Sequence, residues 1–281
     1  MSNTPAMFPT AQTITLSDSS FFELILVEAG SFLMGSEASE REKPIHEVAL
    51  SSFYLGKYPV NQALWKAVMG MEILPFAFPG DRRPAERISW FDAIVFCNRL
   101  NEQQNLTPSY YADPGFRQVY GKAGDGWELP NKGEVFFNRA ANGFRLPTEA
   151  EWEFAARGGI KSERYEYAGS NRLKEVGWYA DNSYGETKPV GMKAPNELGL
   201  YDMSGNVFEW VEDQWHENYD GAPPDGSAWV DREGSTSRVL RGGSWDSVPQ
   251  YCRCTSRYDY VPQYRNPYYG FRLVLPFQFT P

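Results

Sequence analysis

The chain has 281 residues, of which 42% are hydrophobic and 22% are charged, and this length can bury a substantial core. Its 36 acidic and 27 basic side chains give a formal net charge of −9, which repels nucleic acid and anionic membranes because no run of Lys or Arg overrides it. The composition indicates a globular protein and excludes nucleic acid as an expected partner.

Glycine and proline contribute 25 and 20 residues, and aromatic residues make up 16% of the chain. This composition predicts many turns, little long regular structure and a core built from large rings. No stretch reaches the roughly 20 apolar residues of a membrane span, and residues 1–15 lack the pattern of an export signal. We expect no direct membrane insertion, and either a cytoplasmic location or an export signal that has been removed.

Short strands are predicted near the N-terminus. Residues 23–27 and 31–35 lie on either side of a turn at 29–30, and residues 47–55 alternate as a third strand. We predict that they form one small antiparallel sheet.

Three helices have recognisable starts. Asn61 precedes a first apolar-periodic segment, and Ser89 precedes a second one. The third helix follows Thr148, which forms a Thr-x-x-Glu capping box with Glu151. Residues 101–142 show no sustained periodicity, which predicts a long irregular segment packed on the rest of the protein.

Seven segments, taken in chain order, carry a family resemblance. They are MGS from residue 34, FYLGKYPVNQALW from 53, ISWFDAIVFCNRLN from 88, RLPTEAEWEFAARGG from 145, ELGLYDMSGNVFEWVED from 197, RVLRGGSW from 238 and GFRLV from 270. Together they resemble the formylglycine-generating-enzyme family, also called sulfatase-modifying factors. The resemblance implies an α+β, C-type-lectin-like fold of the formylglycine-generating-enzyme subtype, loop-rich with little regular secondary structure, in one domain over residues 1–281.

Large aromatic residues and glycines in these segments would serve the scaffold. The expected core aromatics are Trp152, Phe154, Trp210, Trp245 and Phe271. The expected turn glycines are Gly199, Gly205 and Gly243.

Family members that oxidise a sulfatase cysteine resemble one another in having two cysteines five residues apart after GGS, whose thiolates bind copper. Here Ser247 stands at the first position and Cys252 at the second, and a neutral hydroxyl does not replace a soft thiolate. Cys254 lacks further ligands to close a site with Cys252. Two histidines cannot build the three-histidine iron site of other enzymes that resemble this scaffold. We therefore expect no enzyme activity, no cofactor and no metal.

Two groups of polar residues suggest other chemistry. Glu149, Glu151 and Glu153 lie in the third predicted helix, where a capping box and exposed turns explain them better than acid–base catalysis does. Asn206 and Glu209 resemble the region where some family members hold a structural calcium ion. That match is partial and leaves calcium open.

The tail over residues 245–272 is rich in tyrosine among Ser, Asp, Asn and Arg. Tyrosine offers a large, rigid contact surface, as in antibody paratopes, although a sheet edge or core would also explain alternating tyrosines. The frame GGSW…CRC…R…P…R…GFRLV resembles the variable region of diversity-generating retroelement proteins, where mutagenesis of asparagine codons cannot produce Lys, Glu, Met or Trp. None of these four types occurs in residues 246–269, whereas Gln250 and Gln263 depart from the rule.

This second resemblance divides residues 242–272 into a frame and a ligand-facing set. The frame would be Cys252, Arg253, Cys254, Arg257, Pro262, Arg265, Gly270, Phe271 and Arg272. The ligand-facing set would be Asp246, Ser247, Val248, Tyr251, Ser256, Tyr258, Asp259, Tyr260, Tyr264, Asn266, Tyr268 and Tyr269.

The sequence thus predicts a non-catalytic, receptor-like protein whose diversified surface binds a variable macromolecular ligand, which we expect to be a protein. A copper-dependent oxidase and a scaffold for one fixed partner are the alternatives. Retroelement variable proteins are often displayed on a bacterial or phage surface, so the resemblance implies a bacterial cell-surface location. The sequence predicts neither the identity of the ligand nor the oligomeric state.

Overall fold

The computed structural model describes residues 9–70, 76–231 and 236–278. The helices are α1 (Gln62–Met69), α2 (Trp90–Gln103), α3 (Glu149–Ala156) and α4 (Leu173–Val176). The strands are β1 (Ala11–Thr15), β2 (Phe21–Val27), β3 (Gly30–Met34), β4 (His46–Leu50), β5 (Phe53–Gly56), β6 (Tyr110–Tyr111), β7 (Lys122–Ala123), β8 (Gly126–Trp127), β9 (Phe136–Phe137), β10 (Phe208–Gln214), β11 (Arg238–Arg241), β12 (Arg257–Tyr260), β13 (Tyr269–Phe271) and β14 (Val274–Pro276). Short 3₁₀ helices span Glu40–Glu42, Gly159–Lys161 and Pro249–Cys252.

The three predicted helix starts are confirmed. The Asn61 side chain accepts a hydrogen bond from the backbone N–H of Leu64 at the start of α1. Ser89 caps α2 and Thr148 caps α3, each in a reciprocal capping box with the carboxylate three residues on. These caps satisfy backbone donors that a helix start leaves without an intrahelical partner.

Two four-stranded sheets form the framework, with strand orders β1-β2-β5-β14 and β12-β11-β10-β13. Strands β3 and β4, β6 and β9, and β7 and β8 form separate two-stranded sheets. Strand β13 pairs with β10 in parallel, and β14 pairs with β5 in the first sheet. The C-terminal tail therefore contributes a strand to both large sheets.

Two sequence predictions for the N-terminal strands are wrong. Residues 47–55 form two strands, β4 and β5, because the chain leaves the β3–β4 hairpin at 51–52 and enters the other sheet between β2 and β14. Strand β3 does not join β2 in one sheet, since β1 and β5 occupy the two edges of β2.

Large rings fill the core, as predicted. Trp65 on α1 stacks on Phe96 of α2 with ring centroids 5.4 Å apart, and both rings contact Phe271 edge-on. All five expected core aromatics are buried, and the three expected turn glycines have positive φ angles. Between α2 and α3 the chain forms only two-residue strands, which confirms the predicted irregular segment. Within the described ranges, no helix combines the length and apolar character needed to cross a bilayer.

Candidate ligand-binding site

The tail that carries the predicted binding residues is anchored by arginines. Each of four tail arginines donates through two nitrogens to both oxygens of one carboxylate, the geometry that makes such pairs strong and directional. The pairs are Arg253 with Glu42, Arg257 with Glu149, Arg265 with Asp92 and Arg272 with Glu209. Their donor–acceptor distances run from 2.6 to 3.0 Å. The frame is thereby joined to four separate parts of the fold.

The acidic residues of α3 take part in this anchoring, and the prediction that they occupy exposed turns is wrong. Glu149 and Glu153 are 3% and 0% exposed. Glu153 pairs with Arg241 and, at 2.6 Å, with Arg157. Burial alone would raise the pKa of Glu149, but the nearby Arg257 and Arg241 guanidinium groups lower it below its ordinary value. These carboxylates are buried because distant arginines neutralise them.

The two tail cysteines lie beneath the surface, and a glycine turn leaves room for one of them, Cys252. Gly243 has φ +75°, and a Cβ atom there would lie 2.6 Å from the Sγ atom of Cys252. Cys252 is fully buried in a small apolar cluster, and burial raises its pKa to about 12. Burial also raises the pKa of Cys254 to about 12. Both thiols are therefore protonated at neutral pH.

The copper pair implied by the family resemblance would fall on Ser247 and Cys252. The Ser247 hydroxyl accepts a hydrogen bond of 2.9 Å from the backbone N–H of Ser244. A neutral hydroxyl and a buried, protonated thiol do not fit a Cu(I) ion, which prefers two soft thiolates.

The oxygens considered for calcium serve protein donors instead. Glu209 accepts from Arg272 and from the Trp152 indole at 2.7 Å. The Asn206 side chain bonds the backbone of Lys188 and the carboxylate of Asp202. Over the part of the chain that the structure describes, no three His, Cys, Asp or Glu side chains are grouped to hold a metal ion.

The predicted ligand-facing residues differ in exposure. Those at the surface are Asp246, Val248, Tyr251 and Tyr264, and those partly buried are Tyr258, Asp259, Tyr260, Asn266 and Tyr268. Ser247, Ser256 and Tyr269 are buried at 7%, 6% and 4% exposure. Nine of the twelve side chains thus reach the surface, and three lie beneath it.

Seven of these residues line one concavity of about 280 Å³, which we call the tyrosine cradle. Its lining consists of Phe208, Ser244, Asp246, Ser247, Val248, Tyr251, Tyr258, Tyr268 and Tyr269. Tyr260 and Tyr264 pack against each other at 4.7 Å beside it, and both contact Tyr269. Phe208 and Ser244 are lining residues outside the predicted ligand-facing set. Phe208 joins the cradle because β10 pairs in register with β13, which places it opposite Tyr269, and no local sequence signal reveals that pairing.

Residues 11–276 match the family described as Sulfatase-modifying factor enzyme 1-like domain. The chain belongs to this family. Its α+β, C-type-lectin-like fold of the formylglycine-generating-enzyme subtype is confirmed by this match and by the solved structures it resembles. One of these is Treponema denticola variable protein 1, with a TM-score of 0.84 and 34% sequence identity. The match covers 96% of this chain and 100% of that one.

Relatives within the family carry diverse descriptions. A protein described as chaperone protein LppX from Paenibacillus barcinonensis is 41% identical over 85% of this chain and 82% of its own length. The formylglycine-generating enzyme of Thermomonospora curvata is 31% identical, with 89% of this chain and 92% of that enzyme covered. The chain spans only 38% of the length of serine/threonine-protein kinase pkn1 from Chlamydia caviae, to which it is 32% identical.

Proposed function

We propose that this family member is a non-catalytic binding protein whose tyrosine-rich surface is diversified by a retroelement. One observation carries the proposal: nine of the twelve predicted variable side chains reach the surface, while the frame arginines beneath them are paired with carboxylates. The similarity to a solved variable protein over 96% of this chain supports it.

The physical basis is a rigid display. Tyrosine has few rotatable bonds, so it loses little conformational entropy when it binds a partner. The bidentate pair of Arg257 with Glu149 holds the start of β12 independently of its solvent-facing residues. A substitution at Tyr251, which is 41% exposed, then changes the ligand without removing a core contact.

The remaining parts of the proposal follow from this role. The chain acts as one domain at a bacterial cell surface, and its ligand is a protein whose identity differs among variants. By the family resemblance, Ser247 takes the position of the first copper-ligand cysteine. Its hydrogen-bonded hydroxyl, with the buried thiol of Cys252, supports a non-catalytic role.

The test is to sequence the genomic DNA downstream of this gene. We expect a near-copy of the codons for residues 242–272 beside a reverse transcriptase, with differences concentrated at template adenines. If the gene has no such copy, the diversification part of the proposal is wrong. A tail that never varies among isolates would then point to one fixed partner.

A fixed-partner scaffold is the second candidate, and the 41% identity to a protein described as a chaperone favours it. Recovery of the same partner with every natural isolate would support it. An oxidase is tested separately by copper-dependent oxygen consumption with a sulfatase-type cysteine peptide. Turnover above that of a Cys252→Ala control would contradict the non-catalytic assignment.

A further inference from the structure

The aromatic walls of the tyrosine cradle meet at steep angles. The ring of Tyr251 stands at 79° to that of Tyr258, with centroids 6.2 Å apart. Tyr258 stacks on Phe208 at 5.2 Å and 28°, and Phe208 meets Tyr269 at 77°. These four rings all line the concavity, and their different orientations distinguish it from a flat stacking platform with a single face.

The charge beside these rings is negative. Asp246 lies on the exposed rim, and burial together with the Asp246 carboxylate raises the pKa of Tyr268 above its ordinary value. Burial and the neighbouring Asp259 raise the pKa of Tyr258 in the same direction. Among the described residues that line the cradle there is no Lys or Arg side chain. The positive charge of Arg41 opposes these effects and lowers the pKa of Tyr258. The Arg41 guanidinium lies over the ring of Trp215, 5.4 Å from its centroid.

Aromatic faces attract cations through the ring quadrupole, and several rings around one ammonium group strengthen the attraction. We infer that the tyrosine cradle binds the ammonium group of a lysine side chain on the protein ligand, with Asp246 as its counter-ion. This inference rests on the proposed function, because it names the chemistry that this variant of the surface recognises.

Lysine fits better than the alternatives for three reasons. Its compact ammonium group can be surrounded by rings at right angles, whereas a planar guanidinium stacks on one face. Ser244, Ser247 and Asp246 add polar atoms to the lining of the cradle, which favours a charged group at the end of an apolar stem over a wholly apolar side chain. The net charge of −9 also attracts a basic protein over long range.

The experiment titrates the intact, isotope-labelled protein with two small probes by NMR. Nα-acetyl-lysine methylamide carries the side-chain ammonium group, and Nα-acetyl-norleucine methylamide is its neutral near-isostere. We expect the lysine probe to shift the amides of residues 246–251 and to bind about tenfold tighter than norleucine, the scale of a cation–π contact. Equal affinity for the two probes would overturn the inference, and so would the absence of any response to the lysine probe.

Two variants test whether residues of the cradle bind the ammonium group. Tyr251→Leu keeps apolar bulk but removes an aromatic face, and we expect it to weaken lysine binding about fivefold while norleucine is unaffected. Asp246→Asn should weaken lysine binding in the same direction. The matched control is Tyr184→Leu, which removes a 90% exposed tyrosine outside the cradle and should leave the titration unchanged. Unchanged lysine binding in both cradle variants would contradict the assignment.

The result is separable from the test of diversification. A template copy in the genome without lysine selectivity would refute the cradle chemistry and keep the proposed function. Lysine selectivity without a template copy would keep the cradle chemistry and refute diversification.

Discussion

Replacing Arg257 by Met should destabilise the protein strongly. Arg257 is 3% exposed and donates two hydrogen bonds to Glu149, of 2.7 and 2.9 Å. It also donates to the backbone carbonyls of Arg41 and His216. Methionine fills much of the same volume but leaves a buried carboxylate and two carbonyls without these donors. The perturbation therefore tests the anchoring of the tail.

The expected cost is about 3–5 kcal/mol, the range for breaking a buried ion pair by removing one partner. Arg241 keeps its Nε atom 3.7 Å from Glu149 and offsets a part of the loss, whereas the carboxylate of Asp213 adds repulsion. By comparison, Tyr251→Ala should cost only about 1 kcal/mol, because its ring is 41% exposed and loses one edge-on contact, with Tyr258.

The assay is urea unfolding at pH 7. The change in the free energy of unfolding is taken from the shift in the urea midpoint, after a check that wild type and variant have the same m-value. The double variant Arg257→Met with Glu149→Gln should recover part of the loss, since both charges of the pair are then gone. A cost below about 1 kcal/mol for Arg257→Met, or an equal cost for Tyr251→Ala, would refute the anchoring argument.

Three further predictions concern buried groups. Burial raises the pKa of Glu212 to about 7 from an ordinary 4.5, so its contribution to stability should decline as pH rises from about 4.5 to 7; Glu212→Gln should flatten that decline in urea titrations. Gly243→Ala should lower the melting temperature more than Gly199→Ala, because both have positive φ but only Gly243 lacks space for a Cβ. The three buried cysteines should react with a thiol reagent at pH 8 only after unfolding.

Local features of the fold were predictable from the sequence because their causes are local. Asn61, Ser89 and Thr148 cap helices through side chains that reach only three residues along the chain. Strand partners were not predictable, since alternation marks a strand but not its neighbour. The sequence therefore could not show that β5 lies between β2 and β14.

The same distinction applies to the site. Composition located the tyrosines of the tail, but the register of the strands decides which of them turn inward, as Tyr269 does at 4% exposure. The partner of Arg253 lies 211 residues away and that of Arg265 lies 173 residues away. The position of Glu149 in a helix predicts a solvent-exposed side chain, because the sequence does not show that Arg257, 108 residues away, neutralises it.

A surface that changes by substitution needs stability that does not depend on the substituted residues. In this chain, apolar packing and ion pairs provide it: Phe271 is fully buried in the core, and Arg272 beside it is paired with Glu209. Such pairs are directional, so they fix the path of the tail as well as its attachment. Under the proposed function, this would allow Tyr251 to be exchanged while β12 and β13 keep their positions, and the contrast between the Arg257 and Tyr251 variants measures that separation directly.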